Sequence, residues 1–285
     1  MRFKFYFYFT CILLLCASAG YSQGIRLQES NSFTTHERLS LLASLGLSTY
    51  YGDLCDAFEC MQFRPNFGIG AMYRITSHLS NKTEVNYYRL YSKDVYEQRN
   101  LNFRSGNVEA YTSLVFDIFA YTKHYRKRKL ISPYLLAGFG ITYYNPKGED
   151  PTSEGTWVAL RPLKTEGKDY SSITPIIPFG GGVRIKFKRN MEFMVEFAYR
   201  KTFTDFLDDV SGENYLPVES RTAENARFVV KSQDPGYVSQ INGQLRGNPN
   251  KLDGYFLTNV KLRYIVGTAR SHFKGKHPLL KPHHN

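Results

Sequence analysis

Residues 191–203 read Met191-Glu192-Phe193-Met194-Val195-Glu196-Phe197-Ala198-Tyr199-Arg200-Lys201-Thr202-Phe203. Phe193, Val195, Phe197, Tyr199 and Phe203 share one side of an extended chain; Glu192, Met194, Glu196, Ala198 and Arg200 share the other. Successive side chains of a strand point to opposite faces, so period two with one apolar side predicts a half-buried strand. Residues 255–266 repeat the pattern. Phe256, Val260, Leu262, Tyr264 and Val266 face one way, and Asn259, Lys261 and Arg263 face the other.

Similar runs occupy 38–51, 64–75, 79–91, 107–121, 133–145 and 173–186. In the first, Leu39, Leu41, Ala43, Leu45 and Leu47 alternate with Ser40, Ser44, Gly46 and Ser48. In the last of these, Ile177, Phe179, Gly181, Val183 and Ile185 alternate with Gly180, Gly182, Arg184 and Lys186. Together these runs predict eight strands, most of them long enough to cross a bilayer at a tilt. The connections alternate in length. Those at 76–78, 122–132 and 187–190 are short, and those at 52–63, 92–106, 146–172 and 204–254 are long. This order of turns and loops is the outer-membrane barrel pattern. The expectation is an all-β fold, an eight-stranded antiparallel transmembrane β-barrel with long extracellular loops and short periplasmic turns. The competing architecture, a soluble β-sandwich, also alternates, but it turns its apolar faces inward and predicts no short-long order of connections.

The start of the chain fits export. Arg2 and Lys4 precede an apolar stretch from Phe5 to Cys16, and Ala17-Ser18-Ala19 resembles a cleavage site, with a second possible cut after Ser22. That layout predicts a signal peptide over 1–22. The stretch is too short to span a bilayer comfortably as a helix. Leu15 stands where lipidation of Cys16 would need a small residue. The expected organisation is a periplasmic segment at 23–37, a barrel at 38–267 and a basic periplasmic tail at 268–285. Aromatic residues make up 15% of the chain, with 22 Tyr, 21 Phe and a single Trp. That richness favours a barrel with aromatic girdles over an ordinary soluble domain. The net charge of +12 is spread among strands and turns rather than gathered on one face, which argues against nucleic acid as a partner. Cys55 and Cys60 remain after the leader, and in an oxidising exterior they are expected to form a loop disulfide. A zinc site would need two further ligands that the neighbouring sequence does not offer.

Tyr50-Tyr51-Gly52-Asp53-Leu54, Arg64-Pro65-Asn66-Phe67-Gly68-Ile69-Gly70 and Pro133-Tyr134-Leu135-Leu136-Ala137-Gly138-Phe139-Gly140 carry a family resemblance. So do Leu163-Lys164-Thr165-Glu166-Gly167 and the run from Thr202 to Ser211, which holds Thr204, Asp205, Phe206, Leu207, Asp208 and Asp209. Over residues 37–267 the chain resembles the PorG-like outer-membrane barrel family of Bacteroidetes, long described only as a domain of unknown function. The resemblance implies a place in the type IX protein secretion machinery, where such a barrel contacts a periplasmic ring made of a lipoprotein and its partner protein. One departure is the basic tail that follows Tyr264-Ile265-Val266, where many outer-membrane barrels end on an aromatic residue.

Candidate chemistry is sparse. Asp205, Asp208 and Asp209 could hold calcium, but they lack the spacing of a calcium loop, and Asp side chains bonding backbone amides at a loop base is the plainer reading. Glu84, Glu109, Asp117, Glu192 and Glu196 fall on the polar strand faces with Arg74, Arg184, Lys186, Lys261 and Arg263. An eight-stranded barrel is just wide enough for its interior side chains to fill it, so ion pairs rather than paired catalytic carboxylates are expected. By strand direction, Glu192 and Glu196 should lie near Arg184 and Lys186 on one side and Lys261 and Arg263 on the other. No hydrolase, metalloprotease or phosphate-loop motif is present, so no enzyme activity, cofactor or small-molecule substrate is expected. Lys123, Arg126, Lys127, Arg128 and Lys129, with the tail, are the expected contacts for a periplasmic partner; outer-membrane lipids are expected around the barrel. The rival functions are a surface binding or adhesion barrel working through its long loops, and a transport barrel for a small apolar solute.

Overall fold

The computed structural model describes residues 38–94, 99–122, 125–232, 235–241, 243–249 and 251–266. The expectations for residues 1–37, for Lys123 and for the 268–285 tail lie outside the described residues. Among the described residues, ten strands follow in chain order. They are β1 (Leu39–Tyr51), β2 (Arg64–Arg74), β3 (Leu79–Lys93), β4 (Asn102–Asp117), β5 (Ile131–Tyr143), β6 (Pro146–Glu149), β7 (Trp157–Ala159), β8 (Ile173–Lys188), β9 (Met191–Thr202) and β10 (Gly254–Ile265). Two short helices, α1 (Ala226–Val229) and α2 (Pro235–Gln240), lie between β9 and β10.

The eight long strands pair antiparallel in the order β3-β2-β1-β10-β9-β8-β5-β4, and pairing of β3 with β4 closes the ring. Closure leaves no strand edge exposed along the wall. The first strand pairs with the last through an unbroken register from Ser40↔Ile265 to Tyr51↔Gly254. Strands of 12 to 16 residues, such as β9 and β4, tilted as barrel strands are, give a wall about 30 Å tall.

Alternation sets the two surfaces. Leu45, Ile69 and Phe139 point outward and are 71%, 71% and 70% exposed. Arg74, Lys82, Arg200, Lys261 and Arg263 point inward and are 0% exposed. Small residues make room inside. A Cβ on Gly182 would stand 2.7 Å from the Tyr134 hydroxyl, so its absence admits that ring to the lumen.

Most expected strand bounds shift by two residues or fewer, and two departures are larger. The fourth strand, expected over 107–121, runs from Asn102 to Asp117. Its first turns carry Asn102, Arg104 and Gly106 outward, so no apolar face marks them, although Phe103, Ser105 and Asn107 are buried inside. After Asp117 the chain leaves the sheet, and Tyr121 folds beneath the lumen, where its hydroxyl donates to Glu192. The second change is in the expected loop 146–172, which contains the β6–β7 hairpin. It joins the ring through Arg104↔Lys147 and Ser105↔Pro146.

Candidate functional site: a charge-filled lumen beneath a folded cap

The lumen is packed in tiers. Lowest, at the end with the short turns, Asp117 of β4 takes Arg74 at 2.9 Å and Arg184 at 2.7 Å. Glu192 takes Arg263 at 2.8 Å, Arg184 at 3.4 Å and Arg128 at 3.5 Å. The Tyr121 ring lies under the Arg74 guanidinium, 3.8 Å from its centroid, and also faces Arg128 at 4.5 Å. In the middle tier Lys82 and Lys261 each bridge Glu84 and Glu196. The contacts are 2.9 and 2.6 Å for Lys82, and 2.6 and 2.8 Å for Lys261. Tyr134 donates to Glu196 at 3.0 Å, and Tyr111 donates to Glu84. Above them Glu109 accepts from Asn86 at 2.8 Å, Tyr255 at 2.6 Å and Arg200 at 3.2 Å. Tyr88 stacks on Tyr255 with centroids 4.5 Å apart and closes this tier. Each buried charge meets an opposite charge, which is the condition under which a dry interior tolerates ions.

The structure thus brings Glu192 to Arg184 and Arg263, and Glu196 to Lys261. It places Lys186 lower, at the mouth, where Nζ donates to the Arg128 carbonyl at 3.2 Å. Lys82 and Arg200 complete the network with Tyr111, Tyr134 and Tyr255. Alternation alone would have put Lys82 beside Glu84 on the lumen face. Its pairing with Glu196, which is 114 positions away, has no local signal. Of the basic turn, Arg126, Lys127 and Lys129 are exposed. Arg128 instead turns inward: Nε donates to the Thr122 carbonyl at 3.0 Å, and the head group reaches Glu192. It closes the lower mouth rather than standing free for a partner.

At the other end residues 144–172 and the described residues of 203–253 fold into a cap over the lumen. Leu207 and Val210 join Tyr50, Leu90, Phe103 and Leu257 in an apolar layer that seals the charged tiers from above. Asp208 Oδ2 and Asp253 Oδ1 lie 2.7 and 2.6 Å from the Tyr50 hydroxyl. Their other oxygens accept from the Val210 and Leu207 backbone amides. Burial pushes both carboxyls well above the usual carboxylate range. Asp205 accepts from the Gly212 amide at 2.9 Å, and burial raises it to about 6. Asp209 accepts from Thr165 at 2.5 Å and Tyr170 at 2.7 Å. Thr204 accepts the Phe206 amide, and Phe206 stacks on Tyr170 with centroids 4.6 Å apart. The segment from Thr204 to Asp209 is therefore a knot of side-chain to backbone bonds at the loop base. Its centre, Arg246, carries no motif in the sequence and pairs with Glu166 at 3.2 Å and Asp209 at 3.5 Å. Cys55 and Cys60 are bonded in the first long loop. Among the described residues no group of three or more metal-ligating side chains could hold a metal ion.

No protein-family model matches the sequence, and no curated protein sequence matches it. Among solved structures, the chain is similar to Neisserial surface protein A at 10% identity, with 80% of this chain and 96% of that chain covered and a TM-score of 0.40. It is similar to Ail, the attachment invasion locus protein of Yersinia pestis, solved with the heparin analogue sucrose octasulfate. There the identity is 10%, the coverage 80% and 98%, and the TM-score 0.37. The outer membrane protein OprG from Pseudomonas aeruginosa matches at 8% identity, with 82% and 98% covered and a TM-score of 0.41. These likenesses are too distant to carry anything about this chain's role, which has to be read from its own side chains.

Proposed function

We propose that this chain is a non-enzymatic barrel of the bacterial outer membrane that works as a membrane anchor rather than a channel, within protein secretion machinery of type IX. The observation that carries the membrane reading is the inverted distribution of side chains. Leucine, isoleucine and phenylalanine cover the outer wall, while arginine, lysine and glutamate fill the centre. Leaving each such apolar side chain in water forgoes about 1.5–3 kcal/mol, and a contiguous belt of them needs lipid around it. The filled, ion-paired lumen favours anchoring over conduction. The finer role rests on the resemblance of the Tyr50–Leu54, Arg64–Gly70 and Thr202–Ser211 segments to the PorG-like family. It also rests on the exposed Arg126, Lys127 and Lys129 at the short-turn end, which suit an acidic face on the periplasmic ring lipoprotein or its partner.

The test is affinity isolation from solubilised membranes with identification of what copurifies. Ring components should be captured, less so at high salt and less so when Arg126, Lys127 and Lys129 are changed to glutamine. Recovery of the chain in the soluble fraction after carbonate washing would sink the membrane reading. Capture of surface ligands instead of ring components would favour binding through the cap. That second reading draws on one observation: the cap has its own buried cluster of Arg246, Glu166 and Asp209, more order than closing a barrel requires.

A further inference from the structure

A cleft of about 640 Å³ opens on the outer wall at the long-loop end, between β2, β3, β4, β5 and the β6–β7 hairpin. Among the described residues, four cations line it, Arg64, Arg89, Arg104 and Lys147, and no carboxylate does. They come from four different strands and are gathered by pairing: Arg104 stands directly opposite both Tyr91 and Lys147. Like charges directly opposed across a ladder destabilise it unless something neutralises them. Two of the guanidiniums are held flat on aromatic faces. Arg64 lies 4.5 Å over the Tyr91 ring and Arg104 4.3 Å over Trp157. Arg89 Nε donates to the Tyr87 hydroxyl at 3.2 Å. Stacking fixes the plane of a guanidinium and leaves its N–H edge free for an anion. Glu149 further along β6 is occupied by Asn102 Nδ2 at 3.2 Å and the Gly155 amide at 3.1 Å.

The height of the cleft on the wall identifies the ligand. Going up β3, the outward residues run Val85, Tyr87, Arg89, Tyr91; up β4 they run Ala110, Val108, Gly106, Arg104. Tyr143 of β5 faces Val108, and Phe67 of β2 packs on Tyr87 with centroids 5.2 Å apart. Aliphatic wall therefore gives way to an aromatic ring and then, within one or two residues, to the cations. That is the order in which a bilayer's acyl region gives way to its headgroups. Gly106 lies on the floor, where its bare backbone admits the Tyr87 hydroxyl: an added Cβ would stand 2.9 Å from it.

We propose that this cleft binds the phosphorylated headgroup of a lipid in the surrounding leaflet, with Arg64, Arg89, Arg104 and Lys147 on the phosphates and Tyr87 and Tyr143 against the chains below. The proposal rests on the membrane reading above. It goes further in assigning a lipid class and a place on the wall, and it is independent of any secretion role.

The test reconstitutes the full chain into phosphatidylcholine vesicles containing either diphosphoryl lipid A or its dephosphorylated form, then extracts in mild detergent and measures lipid retained per barrel. The native chain should keep the phosphorylated lipid and lose the other. Changing Arg89, Arg104 and Lys147 together to glutamine should lower retention roughly tenfold or more, since each charge-assisted contact contributes several-fold. Gly106→Val, which would push aside the Tyr87 hydroxyl that holds Arg89 without altering charge, should lower it as well. Heat-modifiable migration of each variant on gels shows that the barrel has folded. Equal retention by native and variant barrels, or of the two lipids, would overturn the proposal while leaving the membrane reading standing. Failure to enter the vesicles at all would overturn both. Tight binding of a soluble sulfated oligosaccharide without lipid would assign the cleft to a soluble glycan and overturn the lipid assignment.

Discussion

Glu192→Gln tests the lumen directly. Glu192 is the one carboxylate that Arg263 reaches among the described ion pairs, and the remaining polar contact of that guanidinium is Ser40 Oγ at 3.0 Å. Arg184 would keep Asp117 at 2.7 Å, whereas Arg263 would be left with its charge in a fully buried site. Removing one partner of a buried pair costs about 3–5 kcal/mol, because the other charge stays desolvated and uncompensated. With a urea dependence of roughly 2–3 kcal/mol per molar for a domain of this size, the unfolding midpoint should fall by about 1–2 M. The assay is urea unfolding of the vesicle-inserted barrel, followed by loss of heat-modifiable migration. Phe193→Leu, on the outward face one residue away, should cost under about 1.5 kcal/mol. Changing Glu192 and Arg263 together to glutamine and methionine should recover much of the loss, since the stranded charge is gone. If Glu192→Gln costs no more than Phe193→Leu, or the double change is worse than the single, the ion-pair account of the lumen is wrong.

The lumen should not conduct: planar-bilayer recordings of the purified barrel should show no stepwise ion current, and steady open steps would refute a filled interior. Cys55→Ser with Cys60→Ser should destabilise only mildly, by about 2 kcal/mol or less, because the bond closes a very short loop; native alkylation of both thiols without reductant would refute the bond itself. The cap should loosen as pH rises. Burial raises Asp205 to about 6, above its unfolded value, so its contribution is fully present below about pH 4 and is lost as pH climbs through about 6. Protease nicking within residues 203–253 should therefore increase from about pH 5 to about pH 8, and Asp205→Asn should flatten that rise; an unchanged slope in the variant would refute it.

The eight alternating runs between 38–51 and 255–266, with the lengths of the connections between them, are enough to read eight strands, their lumen faces, and the ends at which short turns and long loops gather. All of that follows from a period of two, which is a property of neighbours along the chain. Phe193 and Glu192 sort to opposite surfaces whatever the strand pairs with. Tertiary structure decided the rest. Lys82 meets Glu196 across the lumen because ring closure and stagger bring β3 and β9 to facing heights, and that offset has no signature in either strand. Arg128 reads as part of a basic turn, yet it swings under the barrel because the lower mouth offers Glu192 Oε1, which also accepts from the Tyr121 hydroxyl, and the Tyr121 ring itself. Arg246 reads as one more polar loop residue, and becomes the centre of the cap only once residues 163–167 and 204–212 fold against it. Arg64, Arg89, Arg104 and Lys147 likewise stand apart in the chain, and only strand pairing gathers them into one cleft. Local alternation is set by backbone geometry one residue at a time; these meetings depend on register and closure, which are settled only when the whole ring forms.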